Sequence, residues 1–195
     1  MKQVIFDFDG TLVDTSRQDY QIYVDIMKSF DERVLDFETY WELRQNSTLV
    51  RDIVEKTSTK IQPYAFVNMR TKAYQQEDHS DLVTMLPDVE DVLATLYQRY
   101  DLYVVSMRTQ KQGLLDKAKS LNIDRYFTDI VIAPYGKFST LKRFSELCAV
   151  IGDTEYDIDP AQELGVTSIG ITTGIRSRKC LEYFEPDYII DRLHE

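Results

Sequence analysis

Two carboxylates one residue apart, Asp7 and Asp9, close the apolar run Val4-Ile5-Phe6 and are followed at once by Gly10 and Thr11. This stretch constrains the fold more than any other. A short apolar run ended by an Asp-Gly pair reads as a buried strand leading into a turn. Two acids at the exit of such a strand are costly to desolvate together, because like charges at that range repel. A hard cation such as Mg²⁺ relieves the conflict, since it takes oxygen ligands and offsets the local negative charge. Gly10 permits a tight turn whose backbone N–H groups can approach an anion. The plain alternative is an Asx-type turn, which Asp-Gly pairs commonly make. Four fixed positions of this kind arise by chance on the order of once in several hundred chains of this size, so a site is the stronger reading.

From about Thr15 to Pro87 the pattern is helical, with no strong strand. Tyr23, Ile26, Met27 and Phe30 recur at helical spacing. Phe37 to Leu43, Leu49 to Val54 and Tyr64 to Tyr74 predict three more helices, with breaks at Asn46-Ser47 and Pro63. Beyond Pro87 helices and short apolar runs alternate. The helix carrying Val89, Leu93, Leu96 and Tyr100 precedes a strand at Leu102–Ser106. Further strands are expected at 130–132, 149–151, 168–171 and 188–190. Such alternation predicts an α/β fold, a Rossmann-like parallel sheet with helices on both faces. The helical block then reads as an insertion after the first strand. Expected boundaries are 1–14 and 86–195 for the α/β core and 15–85 for the insertion. Ligands of open parallel sheets bind at the carboxyl ends of strands, where Asp7/Asp9, Ser106 and Gly152-Asp153 all fall.

Composition narrows the partners. Lys plus Arg number 23 against 33 Asp plus Glu, a net charge of −10 without any basic run. Such a chain repels nucleic acid and anionic membranes, and an anionic substrate needs a local positive site. Cys148 and Cys180 show no metal-ligand spacing, and no leader precedes the first strand, so a reduced cytoplasmic setting is expected. Neither His79 nor His194 neighbours a motif, which argues against a zinc site or a Ser-His-Asp triad.

The segment Val150-Ile151-Gly152-Asp153-Thr154-Glu155-Tyr156-Asp157 repeats the opening logic of apolar run, glycine and acid, with a second acid four residues on. Together with Asp7-Phe8-Asp9-Gly10-Thr11, Ser106 and Lys137, it resembles the haloacid dehalogenase-like hydrolase superfamily, in its phosphatase form with an inserted helical (C1-type) cap. The resemblance implies that Asp7 is a nucleophile forming an aspartyl-phosphate and that Asp9 is the general acid and base. It implies phosphate binding at Gly10, Ser106, Met107 and Lys137. Mg²⁺ is expected on the side chains of Asp7 and Asp153 and the backbone carbonyl of Asp9. Asp157 is expected to position Lys137 or a metal-bound water, while Thr154 and Asp157 also fit a helix cap. The usual proline after the lysine is replaced by Phe138, and Lys142 is a competitor for the lysine's role.

The activity so implied is phosphoglycolate phosphatase-like: Mg²⁺-dependent hydrolysis of a small phosphorylated metabolite. The alternatives are a sugar phosphomutase of the same superfamily and a catalytically silent binding protein that keeps the fold. Arg108 departs from the small polar residues common at its place, and contact with an anionic substrate or a salt bridge to a neighbour are equal alternatives. Arg44, Asn46 and Arg51 occupy the stretch resembling the substrate-facing turn of related caps, although a solvated charged face is their default reading.

Overall fold

Gln3–Phe6 (β1) forms a strand whose last three residues are buried, because both of its edges and both of its faces are covered. A computed structural model describes residues 1–195 and places β1 inside a six-stranded sheet. Its other strands are Asp101–Ser106 (β4), Phe127–Ile132 (β5), Leu147–Gly152 (β6), Thr167–Ile171 (β7) and Tyr188–Ile190 (β8). All neighbours run parallel, in the order β5-β4-β1-β6-β7-β8. The chain thus builds outward from β1 on one side and then on the other. The reversal lies between β1 and β6, the point where open parallel sheets bind ligands. Phe6 pairs with Val104 and Ile151, so the residues that follow these strands emerge at one end of the sheet.

The connections are helical, as parallel pairing requires. They are Val89–Leu96 (α5), Lys111–Ser120 (α6), Phe138–Leu141 (α7), Glu155–Glu163 (α8) and Arg178–Tyr183 (α9), and they cover both faces of the sheet. Ile5, Val105 and Val150 share one buried cluster with Leu141 of α7 and Ala161 of α8. Burial of such side chains contributes roughly 1.5–3 kcal/mol each.

Contacts divide the chain into two compact units, Met1–Asp14 with Met85–Glu195, and Thr15–Thr84. The second unit holds Ser16–Ser29 (α1), Phe37–Gln45 (α2), Val50–Thr57 (α3) and Pro63–Gln75 (α4). Asp36 starts α2 by accepting a hydrogen bond from the Thr39 N–H at 2.9 Å, and Pro63 starts α4, where its missing N–H is not needed. Tyr23, Met27, Tyr40, Ile53, Val54 and Phe66 fill the interior of this bundle, with the Tyr23 and Tyr40 rings stacked at 4.5 Å. One feature was not expected from the helical pattern. Val13–Asp14 (β2) and Thr84–Met85 (β3) form a two-stranded ribbon where the chain leaves and rejoins the sheet-bearing unit. No helix is long and apolar enough to cross a membrane.

Candidate active site

The turn after β1 is built on Gly10, whose φ of +77° suits glycine. Its N–H donates to the Val13 carbonyl at 2.8 Å, and the Leu12 N–H donates to the Phe8 carbonyl at 2.9 Å. Space is a second reason for glycine here. A Cβ on Gly10 would lie 2.5 Å from Asp153 Oδ2. The same holds at Gly152, where a Cβ would fall 2.0 Å from Asp157 Cγ, and at Gly174, where it would fall 1.9 Å from Asp153 Oδ2. Three glycines therefore let backbone close in around Asp153 and Asp157.

Asp7, Lys137, Asp153 and Asp157 are all buried. Lys137 Nζ donates to Asp7 Oδ1 at 2.5 Å and makes a still shorter bond to Asp157 Oδ1. The other Asp157 oxygen accepts from the Thr154 hydroxyl at 2.8 Å and the Thr154 N–H at 3.3 Å. Asp157 thus caps α8 and holds Lys137 with opposite oxygens. Lys142, the competitor, is exposed. Ser106 is buried at the end of β4, and its Oγ accepts from the Arg108 N–H at 3.2 Å. Met107 lies between them, half-buried.

Charge at this centre does not balance. Oxygens of Asp7, Asp153 and Asp157 lie within 4.8 Å of one another, and the Lys137 ammonium pairs with two of the three. Burial pushes the Asp7 carboxyl up to about 7; Lys137 opposes the shift, while Asp157 and Asp9 add to it. Burial likewise holds Asp153 well above the usual carboxylate range, helped by Asp7 and Asp157 and opposed by the Ile175 N–H, which donates to Asp153 Oδ2 at 2.7 Å. Burial alone would lower the Lys137 ammonium, but Asp157 and Asp7 outweigh it and keep it charged. An all-oxygen, electron-rich, dehydrated donor set of this kind fits a hard divalent cation, and Asp7 and Asp153 could hold it. Asp157 suits that role less, since both of its oxygens are engaged.

One expectation is revised. Arg44 is not on a solvated face. It is buried in the helical unit, with Nε 3.2 Å from Asp19 Oδ2 and Nη1 donating to the Thr48 carbonyl at 3.3 Å. Its neighbours do follow the default: Asn46 ends α2 and is exposed, and Arg51 is an exposed partner of Asp52 at 3.3 Å. Of the two alternatives at Arg108, the structure holds the salt bridge, with Nε 2.7 Å from Asp9 Oδ2 and Nη2 2.6 Å from Asp9 Oδ1. The loop after β7 was missed altogether. Thr173 donates to the Gly10 carbonyl at 2.6 Å, and Gly174-Ile175 seat Asp153. Its only signal was a glycine shortly after an apolar run.

A parallel sheet that reverses its winding beside buried acids defines a class of ligand-binding α/β proteins, and comparison with known proteins narrows it. The model of the haloacid dehalogenase-like hydrolase family matches residues 4–171, most of the chain, and the protein belongs to that family. It is a hydrolase. Among curated relatives, pyrophosphatase PpaX of Listeria welshimeri is 24% identical, over 98% of this chain and 93% of its own. Phosphoglycolate phosphatase of Synechococcus elongatus is 25% identical over the same shares. Among solved structures, a haloacid dehalogenase-like family hydrolase from Streptococcus pneumoniae superposes with a TM-score of 0.80 at 24% identity, covering 98% of this chain and 94% of that one.

Proposed function

We propose that the protein hydrolyses a small phosphorylated metabolite, a phosphomonoester, with Mg²⁺ and through an aspartyl-phosphate, in the manner of a phosphoglycolate phosphatase. The observation that carries this reading is the charge imbalance: Asp7, Asp153 and Asp157 are buried within 4.8 Å of one another, and Lys137 pairs with only two of them. The carboxylates of Asp7 and Asp153 and the Asp9 carbonyl would hold Mg²⁺, which would supply positive charge where an anionic nucleophile must meet an anionic phosphoryl group.

Lys137 orients the Asp7 carboxylate through its bond to Oδ1. An Asp7 oxygen attacks phosphorus as the bond to the leaving oxygen breaks, and Asp9 gives that oxygen a proton. Asp9 then takes a proton from the water that attacks the aspartyl-phosphate, which frees Asp7 and inorganic phosphate. Ser106, Lys137 and N–H groups near Gly10 and Met107 take up charge on the transferring oxygens. In this reading residues 1–14 and 86–195 are the catalytic core and 15–85 a cap that selects the substrate. The setting is cytoplasmic, in keeping with Cys148 and Cys180 standing outside any disulfide.

Chelator-treated protein should lose hydrolysis of p-nitrophenyl phosphate and regain it with Mg²⁺, with Ca²⁺ a poor substitute because its larger, looser coordination misplaces the nucleophile. Full activity after chelation would refute the metal assignment. A panel of phosphometabolites then identifies the substrate, and release of phosphate rather than an isomerised sugar phosphate separates hydrolysis from mutase chemistry.

A further inference from the structure

Arg108 takes both oxygens of Asp9. The guanidinium lies side-on to the carboxylate, through Nε at 2.7 Å and Nη2 at 2.6 Å, and the pair is only partly exposed. This fork-on-fork geometry is the strongest form of a carboxylate ion pair. It reaches across 99 residues, from the loop after β4 to the turn after β1. The guanidinium also stands 5.3 Å from the centre of the Phe8 ring, and the Arg108 N–H donates to Ser106 Oγ. The clamp on Asp9 and the seat of the phosphate binder Ser106 are therefore one short piece of chain.

A carboxylate with both oxygens on a guanidinium is an acceptor only. Each oxygen keeps a second lone pair, but an oxygen that is to carry a proton to a leaving group must leave the fork. The work given to Asp9 above requires that the pair open, and a cation is drawn off a carboxylate most readily by another anion. The transferring phosphoryl group is served by Ser106 and Lys137. The anion that competes for Arg108 must therefore come from the other side of the scissile bond.

Resting on the reading under Proposed function, we propose that Arg108 is a specificity-determining residue that restrains Asp9 until a second anionic group, a carboxylate or phosphate carried on the leaving group, draws the guanidinium away. Substrates with such a group exchange one ion pair for another and release Asp9. Substrates without one must break the pair uncompensated. A charged hydrogen-bonded pair of this kind corresponds to about 10–100-fold in kcat/KM.

The test compares 2-phosphoglycolate with 2-hydroxyethyl phosphate, which place a carboxylate and a neutral alcohol at the same point, using the whole chain with Mg²⁺. The wild-type protein should prefer the carboxylate by about 10–100-fold. In Arg108→Gln the ratio should fall to within about threefold of one, and turnover of 2-hydroxyethyl phosphate should rise because Asp9 is no longer held. Arg108→Lys keeps a point charge without the fork and should be intermediate. A merely structural role lowers both substrates together and leaves the ratio alone. No preference in the wild type, a ratio unchanged in Arg108→Gln, or a fall in its turnover of the neutral substrate overturns the proposal. If p-nitrophenyl phosphate is still hydrolysed in those cases, the restraint alone is wrong. If the wild type turns over none of the three esters, the hydrolytic reading fails and the restraint falls with it.

Discussion

Each unit of the chain buries carboxylates against cations, and the two do it in opposite ways. In the helical unit Asp19 is surrounded by donors. Arg70 reaches Oδ1 through Nη2 at 2.6 Å and Nε at 2.9 Å, and Tyr74 adds its hydroxyl at 2.8 Å. Arg44 and the Tyr40 hydroxyl reach Oδ2 at 3.2 and 3.1 Å. Burial works against the Asp19 charge, but Arg70 and Arg44 outweigh it and hold the carboxyl far below its usual range. In the sheet-bearing unit Lys137 pairs with Asp7 and Asp157 while Asp153 stands within 4.8 Å of both, and burial leaves Asp7 and Asp153 pushed upward. Burial of a charge is thus not in itself a sign of chemistry. A satisfied cluster ties helices together, whereas an unsatisfied one is kept in spite of its cost, which is where function is expected.

The sharpest way to break this comparison is to remove one charge from each cluster. Asp7→Asn should reduce turnover by about a thousandfold or more, since an amide replaces the carboxylate proposed as the nucleophile. The metal-free protein should nonetheless melt at the same temperature or higher, because a repelling charge has been removed. Phosphate release and thermal melting on the same preparation check both halves, and a clear drop in melting temperature would mean that the cluster is not strained. Asp19→Ala should do the reverse to stability. It strands two guanidiniums in the bundle, and losing one partner of a buried pair costs about 3–5 kcal/mol. Urea unfolding measures it, and a loss below about 1 kcal/mol would place Asp19 among ordinary surface acids.

Acidity should separate the clusters by sign. The Asp7 carboxyl is raised from 3.8 to about 7 on folding, so the native state binds the extra proton between those values. Metal-free protein should therefore lose stability as pH rises from about 4 to 7, by on the order of a few kcal/mol in total. Asp19 is depressed, so its contribution is present above the unfolded value of 3.8 and is lost as pH falls below it. Added Mg²⁺ should raise the melting temperature more at pH 7.5 than at pH 5. Asp7→Asn should flatten the upper limb and Asp19→Asn the lower one. A metal-free melting temperature that rises steadily from pH 5 to 7.5 in the wild type, with no change of slope in Asp7→Asn, contradicts the assignment.

The parts legible in the sequence are those where an apolar run meets a polar residue. Asp7, Ser106 and Asp153 each follow such a run, and the structure brings all three to one end of the sheet. Strands were read too short where the signal thins. β5 begins at Phe127, but Thr128 and Asp129 are exposed, and only 130–132 look apolar. The stripe expected to run to Tyr100 stops as helix at Leu96, since Tyr97 and Arg99 sit on a turn closing onto β4. β3, at two residues, has no periodicity to read. What stayed hidden in the site is contact at long range. Nothing local says that Arg108 reaches Asp9, or that Arg44 faces inward to Asp19 rather than out to water. Charge on a helix is exposed by default, and only the partner on α1 overturns that.

The smallest effect tests a contact that no side-chain chemistry announces. Gly174 is at the back of Asp153, where a methyl group would lie 1.9 Å from Oδ2 and 2.5 Å from Cβ. Gly174→Ala must push the carboxylate away and strain its bond from the Ile175 N–H, which is the donor that favours the charged form of Asp153. Groups that orient a metal ligand in this way are worth about 10–100-fold in affinity, so Mg²⁺ should bind that much more weakly, as read by calorimetry on the metal-free protein. Gly165→Ala is the matched control. Its Cβ meets nothing within 4 Å, but its φ of +67° is unfavourable for alanine. That change should lower stability by about 1 kcal/mol and leave Mg²⁺ affinity alone. If both substitutions weaken Mg²⁺ equally, the site responds to global loosening rather than to the space Gly174 leaves. If neither does, Asp153 is not a ligand and the imbalance beside Asp7 needs another explanation.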